Sequence, residues 1–220
     1  MKTITTKATI ILLLMAIGIS GAFAQKRVEI TPFGGYLLGG SVKFYEGKLK
    51  INNGASYGGN LAIGMDKGYL IEIGYTRMDS KADWNAYNNY LIQYPDTSID
   101  IATNYLQIGG VRELILDNDA VRPYGTFTLG TSWFHPKTDL GQDEWLFSIT
   151  AGLGLKYFFS DRVGIRLQAS LMLPMIFNGG GFYMGIGTGG ASSGVYVSSY
   201  SPIVQGNFTG GLIFVLGDTN

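Results

Sequence analysis

The only histidine of the chain, His135, has neighbours that would suit nucleophilic chemistry. Ser132 precedes it by three residues, and Asp143 or Glu144 follows closely enough to orient its ring. A serine nucleophile needs its base within hydrogen-bond reach. On a β-strand, however, successive side chains alternate between the two faces, so Ser132 and His135 would point in opposite directions. We therefore expect a solvated histidine before Pro136, and no catalytic residue is predicted.

A second group of reactive side chains consists of charged residues within otherwise apolar stretches. Lys156 and Arg166 flank residues 160–162, which are predicted to form a tight turn between two strands. Like charges that face each other on paired strands repel, so a carboxylate is expected between them. Glu29 and Glu72 are the candidates for this carboxylate, and Glu113 is a further one whose face is left unassigned by a bulge expected at Gly109-Gly110. The predicted ion-pair cluster contains Glu29, Glu72, Arg122, Lys156 and Arg166.

The pattern of apolar residues predicts strands that would position these charges. Apolar residues recur at every second position, which is the period of a half-buried β-strand. The eight predicted strands span residues 28–38, 57–65, 69–78, 99–114, 121–135, 145–159, 163–176 and 203–216. Short turns at 66–68, 116–120 and 160–162 alternate with long segments at 39–56, 79–98, 136–144 and 177–202. The last of these is rich in glycine and serine and is expected to be a flexible outer loop. This alternation predicts an antiparallel up-and-down barrel with two unlike ends.

Each predicted strand has an apolar and a polar face, and two orientations of these faces are conceivable. A soluble lipocalin-like barrel turns the apolar face inward, whereas a membrane barrel turns it towards lipid. Aromatic residues favour the second orientation, because they lie near both strand ends as at two membrane interfaces. They are Tyr75, Trp133 and Trp145 beside the long segments, and Tyr69, Tyr157 and Phe214 beside the short turns. The fold class predicted is an all-β, eight-stranded antiparallel transmembrane β-barrel with a narrow polar lumen.

The N-terminus has the composition of a secretory signal peptide. Lys2 and Lys7 form a basic start, an apolar run covers residues 8–19, and Ala22-Phe23-Ala24 is a cleavage motif. We expect residues 1–24 to be removed and residues 25–220 to form the barrel domain. The chain has no cysteine, which excludes a disulfide framework and cysteine-based metal sites. Its formal net charge of 0 at pH 7 gives no indication of a nucleic-acid partner, and no cofactor or metal is predicted.

Four segments resemble a known family of membrane barrels. The sequences "RPYGTFTLGTSWF" from Arg122, "AGLGLKYFFSDRVGIRLQAS" from Ala151, "VEITPFGGY" from Val28 and "YLQIGGVREL" from Tyr105 are similar to strands of small outer-membrane barrels. On these motifs the chain is identified as a member of the outer membrane protein β-barrel domain family, the OmpA/OmpX-like eight-stranded barrels. The resemblance covers essentially the whole chain after residue 24. It implies an architecture and says little about activity, because this family shares a scaffold rather than one reaction.

The expected function follows from the barrel and its long loops. Eight strands enclose only enough room for side chains, which argues against a general diffusion pore. The charge cluster is expected to hold the barrel together, and the alternative is a gated path for protons or ions. We expect a structural or surface-interaction protein that is not an enzyme. The alternatives are a narrow channel for small solutes or ions and a lipid-modifying enzyme that uses His135.

The location and partners are predicted from the same features. We expect the bacterial outer membrane, with short turns and both termini in the periplasm and long loops outside. The expected partners are outer-membrane lipids, the barrel assembly machinery and an extracellular glycan or protein. Aromatic residues in one long segment would stack on sugars or dock a partner, or else cap the barrel mouth. These candidate binding residues are Trp84, Tyr87, Tyr90 and Tyr94.

Overall fold

The residues that the structure describes form β-strands and one short 3₁₀ turn at Asp66–Gly68. The computed structural model describes residues 27–43, 47–86, 97–116, 120–137, 143–187, 190–200 and 203–217. The strands are β1 (Val28–Leu37), β2 (Ser41–Lys43), β3 (Gly47–Ile51), β4 (Gly54–Gly64), β5 (Tyr69–Ala86), β6 (Thr97–Glu113), β7 (Val121–Pro136), β8 (Glu144–Ser160), β9 (Val163–Gly187), β10 (Gly190–Tyr200) and β11 (Gln205–Leu216). Within the described ranges, no helix has the length and apolar character needed to cross a bilayer.

Eight of these strands close into an antiparallel barrel, as predicted from the sequence. Their order around the barrel is β1, β4, β5, β6, β7, β8, β9 and β11, and the pairing of β1 with β11 closes the ring. Each pair of neighbours is antiparallel. Register partners traced once around the barrel lead from Arg122 to Ser132, further along the same strand. The sheet is therefore sheared, and its strands tilt relative to the barrel axis.

Three further strands extend the sheet at the end with the long connections. The β2–β3 hairpin pairs with the end of β5, and β10 pairs with the end of β9. The prediction of a loop over 177–202 is wrong in this respect, because β9 continues to Gly187 and β10 begins at Gly190. Segments 39–56 and 79–98 likewise contain strand residues. Frequent glycine and serine break the apolar alternation there, whereas pairing across a hairpin still satisfies the backbone.

The apolar face of the barrel points outward, which confirms the predicted membrane orientation. Leu153 is 73% exposed and Ile71 is 45% exposed, whereas Glu72 and Arg166 retain only 4% and 3% of their accessible surface. Such an exterior would be costly in water, because a large contiguous apolar surface favours contact with another apolar phase. Lipid supplies that phase, and a closed ring leaves no unpaired strand edge within it.

Aromatic side chains mark the two borders of this apolar exterior. Near the long connections, Trp133 stacks on Trp145 with ring centroids 4.8 Å apart, and Tyr75 lies 6.1 Å from Trp133. Near the short turns, Tyr157 and Phe159 meet edge to face at 5.1 Å. We call the Tyr75, Trp133 and Trp145 group the outer aromatic belt. Rings with one polar edge are favoured at the boundary between hydrocarbon and water.

The bulge expected at Gly109-Gly110 is absent, and the register of β6 runs through both glycines without a shift. Glu113 therefore points into the lumen and Arg112 points outward, where its guanidinium lies 3.9 Å from the Tyr69 ring centroid. The close approach of β7 explains why glycine is needed here. A Cβ at position 109 would lie 2.1 Å from the Phe127 carbonyl oxygen, whereas a Cβ at position 110 would meet nothing within 4 Å.

Adjacent glycines thus provide a matched test of strand packing. Gly109→Ala should lower the free energy of unfolding by about 1–3 kcal/mol, because a side chain is forced against the neighbouring backbone. Gly110→Ala should change it by less than about 0.5 kcal/mol, because the added methyl group points into open space. The measurement is urea unfolding of the barrel in lipid vesicles. Equal effects of the two substitutions would contradict the register of β6 on β7.

Candidate functional site

Lys156 is the central residue of a charge cluster in the lumen, at the end of the barrel with the short turns. It lies late in β8, and its side chain is completely buried. Its ammonium donates hydrogen bonds to Glu29 Oε2 and to Glu113 Oε1, each at 2.6 Å. The two carboxylates come from β1 and β6, which are not neighbours of β8 in the barrel. Lys156 therefore links three separated strands across the lumen.

Two arginines extend this cluster towards the barrel end. Glu113 Oε2 lies 3.2 Å from an Arg27 nitrogen and 3.5 Å from an Arg122 nitrogen, and Arg27 also pairs with Glu29. Both guanidiniums stack on the Phe158 ring, at 4.9 Å and 5.0 Å from its centroid. The two carboxylates thus neutralise most of the charge of three cations. Burial of these charges requires such pairing, because an isolated charge in the interior is strongly destabilising.

Arg166 forms a second ion pair, one layer further into the barrel. Its guanidinium makes a two-pronged contact with the Glu72 carboxylate, and the Nη2–Oε1 distance is 3.0 Å. It also donates to the Tyr124 hydroxyl at 2.7 Å. Two parallel bonds between guanidinium and carboxylate are among the stronger charge-assisted contacts. Arg166 and Glu72 therefore close the lumen above the Lys156 cluster.

We expected one carboxylate to lie between Lys156 and Arg166, but the structure pairs the two cations with different carboxylates. The two residues are direct register partners, so their side chains start next to each other. The two cations pair with different carboxylates, Lys156 with two and Arg166 with one. The Tyr124 ring lies near both cations, 5.5 Å from the ammonium and 4.7 Å from the guanidinium. An aromatic face attracts cations. Separate carboxylates and the shared ring thus offset the repulsion between the two cations.

The middle of the lumen is polar and almost filled. Gln107 bridges Thr128 and Ser148 through hydrogen bonds of 2.6 Å and 2.5 Å. A cavity of about 40 Å³ remains, and the Thr126 and Thr150 hydroxyls on its wall have no partner among the described residues. A cavity holds a water molecule when it offers roughly 10–15 Å³ and polar contacts. This chamber therefore has room for a small number of waters.

The outer end of the lumen is closed by apolar side chains, whereas the sequence led us to expect polar residues there. Tyr105 belongs to this plug, and its hydroxyl donates to Gln205 Oε1. The apolar plug comprises Leu37, Ile51, Met78, Ala82, Ile101, Tyr105, Phe134, Met172 and Ile203. Several plug residues share the inward parity of the polar lumen residues, so alternation alone does not reveal them. One sequence signal does indicate the plug: at the level of the plug, the outward positions change from apolar to charged residues such as Asp79 and Lys81.

The remaining candidate residues lie outside the lumen. His135 is exposed and its Nδ1 lies 2.5 Å from Asp143 Oδ1, whereas Ser132 is buried on the opposite face. Trp84 lies on the extended part of β5, opposite Leu49 and Thr97. Tyr87, Tyr90 and Tyr94 lie outside the described residues. Within the described ranges, acidic residues and the histidine do not assemble into a group of three that would hold a metal.

A closed barrel with an apolar exterior, aromatic borders and paired charges inside defines a small membrane β-barrel. The chain belongs to the outer membrane protein β-barrel domain family, whose sequence model matches residues 9–173. Membership of this family places it among bacterial outer membrane proteins. No curated protein sequence matches the chain.

Two solved structures show the same fold at low sequence identity. Neisserial surface protein A is 13% identical with a TM-score of 0.52, and the match covers 86% of this chain and 96% of that one. The outer membrane protein OprG from Pseudomonas aeruginosa is 12% identical with a TM-score of 0.55, and the match covers 89% of this chain and 97% of that one. These likenesses concern the fold alone.

The Lys156 cluster should contribute strongly to stability. Lys156→Met should lower the free energy of unfolding by about 3–5 kcal/mol, because it leaves two buried carboxylates without their shared cation. Lys81→Met is the control, since Lys81 is exposed and its loss should cost less than about 0.5 kcal/mol. Urea unfolding in lipid vesicles measures both.

Combining Lys156→Met with Glu113→Gln separates the ion pair from simple packing. Removal of one orphaned carboxylate should recover part of the lost stability, so the double variant should be less destabilised than the sum of the single variants. Equal losses for Lys156→Met and Lys81→Met, or strict additivity in the double variant, would contradict the cluster.

Proposed function

We propose that this chain is a closed outer-membrane barrel with a structural or surface-interaction role, whose working surface is the end that carries the long connections. The observation that supports closure is the stacking of three layers in the lumen. The Lys156 and Arg166 ion pairs lie at one end, hydrogen-bonded polar residues lie in the middle, and the apolar plug lies at the other end. A hydrated solute would have to disrupt all three layers.

Beyond the outer aromatic belt, the extended strands form a sheet that could bind an extracellular partner. β3 pairs with β5, and β5 pairs with β6, up to the level of Trp84. Asp83 accepts hydrogen bonds from Ser98 at 2.6 Å and from Asn52 at 2.8 Å, and these bonds hold its pKa below the usual value. A charged carboxylate held in place by two side-chain hydrogen bonds supports recognition of an extracellular glycan or protein partner by this sheet.

A narrow channel is the second candidate, and the polar chamber is the observation that favours it. The chamber is lined by hydroxyl and amide groups of the kind that coordinate water or small solutes. A path through it would require the Arg166–Glu72 pair to separate at one end and the apolar plug to open at the other. The paired and packed state therefore corresponds to a closed barrel.

Conductance and chemical access together test closure. The barrel inserted into a planar bilayer should show no defined conductance steps. Because the chain has no cysteine, Thr150→Cys provides a single thiol inside the chamber. In the folded barrel this thiol should remain unlabelled by a membrane-impermeant maleimide, and it should react fully after unfolding. Resolved steps, or rapid labelling of the folded Thr150→Cys variant, would instead support the channel.

Cysteine labelling in intact cells tests the proposed topology. Ser98→Cys lies on the outer sheet, and Asp161→Cys lies in the short turn between β8 and β9; both positions are exposed. Ser98→Cys should react with an impermeant maleimide on intact cells, whereas Asp161→Cys should react only after the outer membrane is permeabilised. The reverse pattern would show that the long connections face the periplasm.

A further inference from the structure

A compact group of charges lies on the outward face of the barrel, just beyond the outer aromatic belt. Asp79 is its centre and accepts hydrogen bonds from Arg77 at 2.9 Å and 3.3 Å and from the Tyr57 hydroxyl at 2.9 Å. The Lys137 ammonium lies 3.0 Å from the same carboxylate. Lys137 follows the end of β7, so the group bridges from β4 and β5 to β7 across β6. We call these four residues the Asp79 group.

The Asp79 group occupies only one sector of the barrel. At comparable positions on the other strands, the outward residues that the structure describes are apolar or aromatic. They are Tyr36 on β1, Leu38 directly after it, Phe208 on β11, Leu171 on β9 and Trp145 on β8. Charges at this level cost free energy near hydrocarbon unless a counter-charge meets them. Their confinement to one sector indicates a local binding surface rather than a general polar border.

The charge balance of the Asp79 group favours an anion. Two cations share one carboxylate, so the group carries one excess positive charge. The side chain of Arg77 is 34% exposed and that of Lys137 is 43% exposed, which leaves part of their donors accessible. A guanidinium offers five N–H donors and an ammonium three, more than Asp79 accepts. Nearby, exposed Lys81 faces Asp100 across β5 and β6, and His135 Nδ1 contacts Asp143 Oδ1, so these neighbours have partners outside the Asp79 group.

The depth of the Asp79 group matches that of lipid headgroups. Arg77 is two residues beyond Tyr75 on the outward face, and a strand advances about 3.3 Å per residue. The polar layer on each side of the hydrocarbon is roughly 5–7 Å thick. Arg77 and Asp79 therefore lie where lipid phosphates lie. Phosphate and guanidinium match in geometry, because two parallel N–H bonds reach two oxygens.

We propose that Arg77 and Lys137 bind a phosphate of a phosphorylated glycolipid in the outer leaflet, with Asp79 holding the two cations in place. The proposal rests on the topology of the proposed function, in which this end of the barrel faces outward. The Tyr57 ring and the stacked Trp133 and Trp145 rings flank the phosphate position and pack against the sugar and the upper acyl chains.

Binding of a defined lipid to the purified, folded barrel tests the proposal. The probes are bisphosphorylated lipid A, the same lipid after removal of its phosphates, and inorganic phosphate alone, each measured by native mass spectrometry of the barrel in detergent. Wild type should retain lipid A at least about tenfold more strongly than the dephosphorylated lipid, because charge-assisted hydrogen bonds are lost with the phosphates. Inorganic phosphate alone should not bind measurably.

Variants locate the site on the barrel. The double variant R77Q/K137Q should abolish the preference for the phosphorylated lipid. The control K48Q/K50Q removes two lysines from the outer sheet further from the belt, and it should keep the preference. D79N should lower the preference for the phosphorylated lipid without abolishing it, because both cations remain but the carboxylate that holds them in place is lost. Heat-modified migration on gels checks that each variant is folded.

Three results would overturn the proposal. They are equal retention of both lipids by wild type, equal behaviour of R77Q/K137Q and K48Q/K50Q, and binding of inorganic phosphate as strong as that of lipid A. Failure of the topology is distinguishable from failure of this site. If the labelling pattern in cells is inverted but the purified barrel still prefers lipid A, then the proposed outward orientation is wrong and the phosphate site itself stands.

Discussion

The buried ammonium of Lys156, held between two carboxylates, is the interaction on which the packing of the lumen depends. Lys156 joins β8 to Glu29 on β1 and to Glu113 on β6, and these strands meet only across the barrel interior. Loss of one partner would leave a charge in a space that water fills poorly, which is strongly unfavourable. The ion pairs therefore fasten β1, β6 and β8 to one another across a lumen whose width is set by strand number and shear. Small inward residues such as Ala62 and Gly109 leave room for the long side chains.

The polarity of the barrel reverses along its axis, and this reversal connects fold with function. Between the aromatic borders, the exterior is apolar and the interior is polar and charged. Beyond the outer aromatic belt, the interior becomes an apolar plug, while charged residues such as Asp79 and Lys81 appear outside. Each arrangement suits its surroundings, because lipid accepts only apolar surface and water permits an ordinary hydrophobic core. The part beyond the membrane thus acquires a rigid core of its own, on which a recognition surface can be held.

Strand alternation predicted the barrel well because one physical rule governs most positions. The alternation of Leu153 and Leu155 with Lys156 separates an apolar face from a polar one, and the aromatic residues at both strand ends indicate that the apolar face meets lipid. The same rule does not report which side chains meet across the lumen, since those contacts depend on shear and on non-neighbouring strands. Glu113 could therefore be named only as a possible member of the Lys156 cluster, and the position of Tyr124 between two cations emerged only from the structure. β10 also escaped prediction, because glycine and serine erase the alternation that marks a strand.

Accessibility of spin labels measures the orientation of the barrel wall most directly. Labels attached through Leu153→Cys and Leu167→Cys in vesicles should collide often with oxygen, which dissolves in hydrocarbon, and rarely with a water-soluble nickel chelate. A label attached through Asp161→Cys, in the exposed short turn between β8 and β9, should instead collide often with the nickel chelate. Frequent nickel collisions at Leu153 and Leu167 would contradict the account, since they would place the apolar face of the strands in water.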